Sequence, residues 1–423
     1  MTDILTRLLD LTAAPATPDA LAVMRLSLVD WLAVGIAGRD EPVARLTRDM
    51  VLDEGGAGQA SLFGGGKAPL RAAALVNGAA SHALDYDDTH FAHIGHPSVA
   101  VIPAALAVAE KNGASVTEVT EAALRGTEAS VRMGLTLGRA HYQVGFHQTG
   151  TAGAFGAALA AAILLGLDRD ATGQALGLVS TRASGLKSQF GTMGKPLNAG
   201  IAASNGVEAA LLAARGFVSN PGALDGVNGF LQTHHADGPG DQPEGWLMQG
   251  VSHKFHACCH GLHATLEALE TVKPVDPSAV KGVAVTTHPR WMTVCNQPEP
   301  ETGLALKFSY RGVVAASLLG QSTAALSTYT DALCADPALV ALRDKVSVTA
   351  DDSVAETAAR VELVLGGQRH MAEFDLDAPM AYDDRAARIR SKATALLGAA
   401  QAARVWESVH GDHRSVAHLT AEM

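Results

Sequence analysis

Residues 150–167 read GTAGAFGAALAAAILLGL, an apolar stretch built largely from Ala and Gly. Its length reaches the lower limit for a membrane span. However, small residues dominate it and the larger aliphatic side chains crowd one end. This composition favours a helix that is buried among other helices over a helix that crosses a membrane.

Similar segments recur through the first 253 residues. Apolar positions at three- and four-residue spacing, separated by Gly or Pro, predict helices. They do so over Leu21–Gly35, Leu70–Leu84, Pro103–Lys111 and Val207–Arg215. No strand alternation stands out in this part. We therefore expect residues 1–253 to form one compact, all-helical domain.

The pattern changes after Lys254. Alternating apolar residues predict strands, and the pair Gly366–Gly367 supplies the positive φ that a two-residue hairpin turn needs. The predicted strands are Val280–Thr287, Lys345–Ala350, Ala359–Leu365 and Gln368–Phe374, with a helical stretch over Leu304–Gly320. Residues 254–383 are thus predicted to form a smaller α+β domain. The helical tail, residues 384–423, is predicted to complete the helical domain, so the expected fold is mainly α.

Composition narrows the class of protein. Of 423 residues, 48% are hydrophobic and 18% are charged, which supports a large core and excludes a disordered chain. The net charge of −11 and the lack of a basic tract argue against a nucleic-acid partner. Four cysteines form no disulfide framework, and Asp3, Arg7 and Asp10 interrupt the first apolar run, unlike a signal peptide. We expect a soluble cytoplasmic protein without a membrane partner.

The densest polar segment is residues 82–98, HALDYDDTHFAHIGHPS. It lies between two apolar stretches, and loops held by a rigid scaffold are where functional groups collect. His96 precedes Pro97, a residue favoured in the first turn of a helix, and a helix N-terminus favours neutral imidazole. Neutral imidazole is the form that a general base needs. The alternative is an ordinary polar loop.

Two further polar segments lead into an Ala-rich stretch that is predicted to be helical. In residues 189–205, QFGTMGKPLNAGIAASN, Lys195 precedes Pro196, and an ammonium group beside helical N–H groups makes an anion site. The alternative is a solvated lysine in a Gly-rich turn. In residues 141–151, HYQVGFHQTGT, Tyr142 and His147 are candidate site residues. A hydrogen-bonded core histidine is the alternative for His147.

Two other segments resemble metal or nucleotide motifs without matching them. Residues 253–263, HKFHACCHGLH, are rich in His and Cys. Adjacent cysteines cannot easily share one tetrahedral site, and no second ligand pair follows, so we predict no metal. Residues 61–69, SLFGGGKAP, have Ser61 where a phosphate-binding loop needs Gly and Ala68 where it needs Ser or Thr. We therefore predict no nucleotide site.

Taken together, the segments resemble the MmgE/PrpD family over nearly the whole chain. The markers are NGAASHALDYDDTH followed by HPS, GFHQTGTAGAFGAA, GTMGKPLNAGIAASNGVEAALLAARGF, the run from Lys254 to His263, and KFSY. The resemblance implies a large helical domain with a smaller α+β lid, a homodimer, and no metal or organic cofactor. The family contains 2-methylcitrate dehydratases, cis-aconitate decarboxylases and iminodisuccinate epimerases.

The resemblance also implies the site residues. It implies the catalytic residues Asp85, His96, His147 and Lys195 and the substrate-binding residues Thr89, Lys254, Cys259 and His263. Tyr142, singled out above from its own segment, is added to the predicted substrate-binding residues. The chain differs from many relatives at His256–Ala257, where they have an aromatic residue and Pro. It also has Gly312 where the pattern FS-x-x-Tyr has Tyr, and Tyr310, two positions earlier, cannot simply take over that role.

The family's reactions share the cleavage of a bond beside a carboxylate, with enolate charge building up. They need a base or acid, which we assign to His96 oriented by Asp85, and cations for the carboxylates, which we assign to Lys195, Lys254 and His147. We predict a cofactor-independent lyase that dehydrates a 2-methylcitrate-like hydroxy polycarboxylate. The alternatives are an epimerase of an imino-dicarboxylate, a decarboxylase of a cis-aconitate-like acid and, in a different class, a metal-binding helical protein.

Overall fold

A computed structural model describes residues 3–411 and 415–423. The chain divides into two compact units: one runs to His253 and resumes with Ile389–Met423, and the other is Lys254–Arg388. Helices make up most of the first unit, whereas the second contains a four-stranded sheet and several helices. The largely helical fold with a small sheet in the C-terminal part is therefore confirmed. A lid role for the second unit stays a prediction.

The helices are numbered in chain order. Before residue 254 they are α1 (Ile4–Asp10), α2 (Pro18–Gly38), α3 (Pro42–Glu54), α4 (Leu70–Ser81), α5 (Ser98–Asn112), α6 (Val116–Val144), α7 (Gln148–Leu164), α8 (Arg169–Ser180), α9 (Gly194–Ala213) and α10 (Phe230–Thr233). Then come α11 (His263–Glu270), α12 (Pro289–Val294), α13 (Gly303–Leu306), α14 (Tyr310–Leu318), α15 (Asp331–Cys334) and α16 (Pro337–Arg343). The last are α17 (Tyr382–Leu397), α18 (Ala399–His410) and α19 (Ala417–Thr420).

Helix α7 lies at the centre of the first unit, packed against α5, α6 and α9. Its residues are buried from Gln148 to Ala162. The close approach of α6 to α7 depends on glycine, because a Cβ atom on Gly126 of α6 would lie 2.6 Å from the Gly156 carbonyl oxygen of α7. The small residues that the sequence places in these helices thus allow their backbones to touch.

One helix among the described residues, α2, is long and apolar enough to cross a membrane by length and composition. Of its most apolar window, 72% is buried inside the protein. The apolar stretch of residues 150–167, which the sequence predicts to be a buried helix, forms most of α7, a shorter apolar helix.

The sheet of the second unit has four strands, which are β3 (Val280–Thr287), β4 (Val346–Ala350), β5 (Ala358–Leu365) and β6 (Gln368–Asp375). These ranges are close to the predicted bounds. The order of the strands in the sheet is β4-β3-β5-β6. Strand β3 is parallel to β4 and antiparallel to β5. Gly366 and Gly367 have φ of 55° and 99° in the β5–β6 turn, so the predicted hairpin is confirmed.

The structure differs from the sequence-based expectation in three details. Helix α4 ends at Ser81 rather than at Leu84, because His82 begins the polar loop. The predicted helical stretch Leu304–Gly320 consists of two helices, α13 and α14, separated at Lys307–Ser309. In the first unit, where no strand was expected, β1 (Ala60–Ser61) and β2 (Lys67–Ala68) form a short hairpin within the glycine-rich segment.

Candidate active site

The polar segment between α4 and α5 folds back on itself and gathers two imidazoles around one carboxylate. The Nδ1 atom of His82 lies 2.9 Å from Oδ1 of Asp87, and Nδ1 of His96 lies 2.8 Å from Oδ2 of the same side chain. The other ring nitrogen of His96, Nε2, lies 3.5 Å from Oδ1 of Asp85. His96 therefore stands between two carboxylates, immediately before Pro97, the N-cap residue of α5.

Asp87 was not among the predicted site residues, but it lies closer to the His96 ring than Asp85 does. Burial alone would raise the pKa of Asp87. The charges and hydrogen bonds of His82 and His96 outweigh burial and hold the pKa of this carboxyl well below its ordinary value. An ionised, buried carboxylate orients an imidazole and stabilises its protonated form. The orienting role predicted for Asp85 is thus better suited to Asp87.

A second hydrogen bond fixes the backbone of His96. Its N–H donates to Oγ1 of Thr149 in the first turn of α7, at 3.0 Å. Nearby, Asp88 accepts hydrogen bonds from the Ser98 N–H and hydroxyl groups at the start of α5. Burial raises the pKa of Asp88 to about 7, so this carboxyl differs sharply from its neighbour Asp87.

Lys195 supplies the cation of the cluster. It lies in the first turn of α9, as the sequence predicted, and its Nζ atom is 2.8 Å from Oδ2 of Asp85. The side chain of Asp85 is 37% exposed and that of Lys195 is 18% exposed, so this ion pair forms the accessible side of the cluster. An anion that reaches Lys195 would also come close to His96, because both contact Asp85.

His147 lies behind the cluster at the N-cap position of α7. Its ring stacks on that of His82 with centroids 6.1 Å apart. Burial lowers the pKa of His147 well below its usual value, so the ring is neutral near pH 7. Asn198 donates its side-chain amide to Nδ1 at 3.1 Å, which places the proton of the neutral ring on Nε2. His147 can therefore act as a hydrogen-bond donor. Its predicted role as a cation for a substrate carboxylate is wrong near pH 7, because burial keeps the ring neutral.

Thr89 and Tyr142 take part in other contacts. Thr89 exchanges backbone hydrogen bonds with Ser252, at 2.9 and 2.7 Å. The ring of Tyr142 is covered by the Lys187 ammonium, 3.7 Å from its centroid, and that ammonium also donates to the Tyr142 carbonyl. Roles of Thr89 and Tyr142 in substrate binding stay predictions.

The remaining predicted residues lie in the second unit. Lys254 and His263 are buried there, and Cys259 is half-buried. His263 Nε2 lies 3.3 Å from the Cys258 carbonyl oxygen, and burial lowers the pKa of His263 well below its usual range. A substrate-binding role for each of these three residues stays a prediction.

Three residues at which the chain differs from the family pattern, Tyr310, Gly312 and His256, are packed inside this unit. Tyr310 is fully buried, and its hydroxyl donates to the Gly261 carbonyl at 2.7 Å, so it serves as a core residue. At Gly312 a Cβ atom would lie 2.4 Å from Cδ1 of Leu306. His256 is held between the Thr323 hydroxyl at 2.6 Å and Oε1 of Glu267 at 3.1 Å.

The cluster in the first unit also has the donor set of a metal site. Possible ligand atoms of His82, Asp85, Asp87 and His96 lie within 4.8 Å of one another. These atoms are already engaged, because Asp87 binds both imidazoles and the Lys195 ammonium sits on Asp85. A metal ion would have to compete with the Lys195 ammonium, so the geometry suits an organic anion better than a cation.

Comparison with known proteins identifies relatives of this chain. The MmgE/PrpD N-terminal domain matches residues 3–241, and the MmgE/PrpD C-terminal domain matches residues 256–409. A cis-aconitate decarboxylase of Aspergillus terreus is 28% identical over 335 residues, which are 72% of this chain and 68% of the relative. The human cis-aconitate decarboxylase is 35% identical over 216 residues, 48% of this chain and 45% of the relative.

A cis-aconitate decarboxylase-like protein of Aspergillus oryzae is 30% identical over 277 residues. That match covers 60% of this chain and 58% of the relative. The aligned part of the chain thus spans less than two thirds of that relative's length.

Proposed function

The chain belongs to the MmgE/PrpD family, and on this premise we propose that it is a cofactor-independent lyase for a small di- or tricarboxylate. The observation that carries the proposal is the position of His96, between the carboxylates of Asp85 and Asp87 and beside the Lys195–Asp85 pair. This arrangement puts an acid–base group next to an anion site, which bond cleavage beside a carboxylate needs.

Each side chain has a defined task in this proposal. Lys195 binds a substrate carboxylate that replaces Asp85 as its partner. His96 then moves a proton at Nε2 to or from the carbon that carries enolate charge, while Asp87 holds Nδ1. His147 donates from Nε2 toward developing negative charge. Loss of one such preorganised donor typically raises the barrier by about 3–4 kcal/mol.

The relatives favour one reaction within this class. Proteins from two Aspergillus species, mouse and human that resemble this chain carry the name cis-aconitate decarboxylase or a name derived from it. We therefore place decarboxylation of a cis-aconitate-like acid first. In that reaction CO2 leaves with its bonding electrons left on carbon, and protonated His96 delivers the proton that completes the product.

Dehydration of a 2-methylcitrate-like hydroxy acid, which was predicted first from the sequence and its family resemblance, is the second candidate. The two carboxylates that contact His96 support this reaction. In dehydration a base takes the proton beside the carboxylate, and an acid protonates the leaving hydroxyl. An imidazole that contacts Asp85 through one nitrogen and Asp87 through the other can change protonation state without moving far.

A substrate panel tests the proposal. The purified protein is incubated with cis-aconitate, 2-methylcitrate and an imino-dicarboxylate, and the products are identified by proton NMR. Release of CO2 from cis-aconitate supports the first candidate, and a new carbon–carbon double bond formed from 2-methylcitrate supports the second. Exchange or inversion at carbon without loss of water or CO2 indicates an epimerase. No reaction with any of the acids would refute the proposed function.

A further inference from the structure

The first unit contains a buried lysine that the proposed chemistry does not use. Lys392, in the C-terminal helix α17, has a side chain that is 1% exposed, and its Nζ atom lies 2.6 Å from Oδ1 of Asp30 in α2. The Asp30 side chain is 2% exposed. A buried charge is costly unless it is paired and fully hydrogen-bonded, so the other contacts of Lys392 bear on its role.

Those contacts lead to the candidate active site. The Lys392 ammonium donates a hydrogen bond of 2.6 Å to the carbonyl oxygen of Tyr86 and lies 4.1 Å from the centroid of the Tyr86 ring. Tyr86 is fully buried and stands between Asp85 and Asp87 in the sequence. One ammonium group therefore joins α2 and α17 to the residue that separates the two carboxylates of the cluster.

The backbone at this point needs such support. Asp85 has a φ of 50°, in the left-handed region that residues other than glycine rarely adopt. Conformations of this kind persist only where the surroundings hold them. With Asp85 in this conformation, its carboxylate reaches Lys195 and His96, while Asp87 reaches His82 and His96. A bond to the intervening carbonyl is well placed to fix both.

We propose that Lys392, paired with Asp30, is a positioning residue that sets the orientation of Asp85 and Asp87 through the Tyr86 carbonyl. Its effect on turnover rests on the proposed function, whereas its effect on the conformation of the loop does not. The competing explanation is that Lys392 only neutralises the buried Asp30.

A double variant separates these explanations. Lys392→Met leaves Asp30 buried without its cation and should lower the thermal midpoint. Adding Asp30→Asn removes the stranded charge, so the double variant should regain most of that midpoint. If Lys392 positions the loop, the double variant still lacks the bond to Tyr86. Its kcat should then stay about 10²-fold below wild type, since small misplacements of catalytic groups cost about that much.

Amide hydrogen exchange gives a readout that does not depend on the substrate. In the double variant, peptides that contain Asp85 and Thr89 should exchange faster than in wild type, because these amides bond to the His82 and Ser252 carbonyls at the base of the loop. The matched control is Arg125→Met with Glu121→Gln. This is an ion pair whose arginine also donates to a carbonyl, that of Ala14, at 3.1 Å. The control should leave exchange in the 82–98 loop unchanged.

Wild-type exchange in the loop of the double variant would overturn the proposal, whatever the activity. Wild-type kcat together with a restored midpoint would also overturn it, because Lys392 would then act only on Asp30. If wild-type protein converts none of the acids in the panel, the proposed function fails, and the exchange measurement alone decides the role of Lys392.

Discussion

The Nζ atom of Lys195 lies 2.8 Å from Oδ2 of Asp85, although 110 positions separate the two residues in the chain. Asp85 also contacts His96, so one partly exposed carboxylate touches both the Lys195 ammonium and the proposed acid–base group. A substrate carboxylate that takes the place of Asp85 on Lys195 would lie beside His96. The displaced Asp85 carboxylate can be solvated, since its side chain is 37% exposed.

Replacing Lys195 tests this exchange of partners. Lys195→Ala should raise KM and also lower kcat, because in the proposed mechanism the ammonium binds a substrate carboxylate and stabilises the charge that develops during the reaction. Lys195→Arg should recover activity only in part, since a planar guanidinium places its donors differently from an ammonium. Steady-state kinetics check both variants. Lys67→Ala, which alters an exposed lysine paired with Glu110, is the control. Normal kinetics in Lys195→Ala would make Lys195 a structural lysine.

Removing the imidazole of His96 should abolish turnover. His96→Ala should lower kcat by about 10²–10⁴-fold, the usual contribution of a general acid or base. The fold should survive, because His96 lies in a loop between α4 and α5 rather than inside a helix. The exposed His418 gives a matched control, His418→Ala, with wild-type activity expected. If His96→Ala keeps more than about a tenth of wild-type kcat, His96 is not the acid–base group.

Stability should fall in mild acid because of buried histidines. Burial lowers the pKa of His93 to about 3 and that of His141 to about 4, and it lowers the pKa of His147 and His263 well below the usual value. The unfolded chain therefore binds more protons below about pH 6.5 than the folded chain does, so stability falls as the pH falls. His93 alone accounts for on the order of 2 kcal/mol at pH 5.

Asp88 acts in the opposite direction. Burial raises its pKa to about 7, so its contribution is present at low pH and is lost as the pH rises through 7. Four histidines outweigh one carboxyl, and the thermal midpoint should be lower at pH 5 than at pH 7. His93→Gln should shrink that difference. An equal midpoint at both values of pH would show that these rings titrate normally.

Metal removal tests the nature of the cluster. Dialysis against a strong chelator should change neither activity nor the thermal midpoint, because the Lys195 ammonium already serves Asp85, and Asp87 binds both imidazoles. The Lys67→Ala protein treated in the same way controls for handling losses. Activity that disappears and returns with a divalent ion would make His82, Asp85, Asp87 and His96 metal ligands instead.

The sequence predicted elements more securely than the partners within the site. Strand β3 was placed at its observed ends, because apolar alternation is a local signal. In contrast, three carboxylates lie within four residues at Asp85, Asp87 and Asp88. No local pattern tells that Asp85 and Asp87 face His96 while Asp88 binds Ser98. This arrangement includes a positive φ at Asp85, which the sequence does not reveal. Lys392 binds a carbonyl 306 residues away, so no sequence pattern near either residue could reveal the contact.

In the proposed mechanism, His96 moves a proton at carbon during lyase chemistry on a small polycarboxylate. The most direct test of this step is conversion of cis-aconitate in deuterated water, followed by NMR of the product, with the His96→Ala protein as control. We predict that one CO2 leaves, that one deuterium is bound to the carbon where charge develops, and that the His96→Ala protein forms product at least about 10²-fold more slowly. Deuterated product formed at the wild-type rate by the His96→Ala protein would contradict the account.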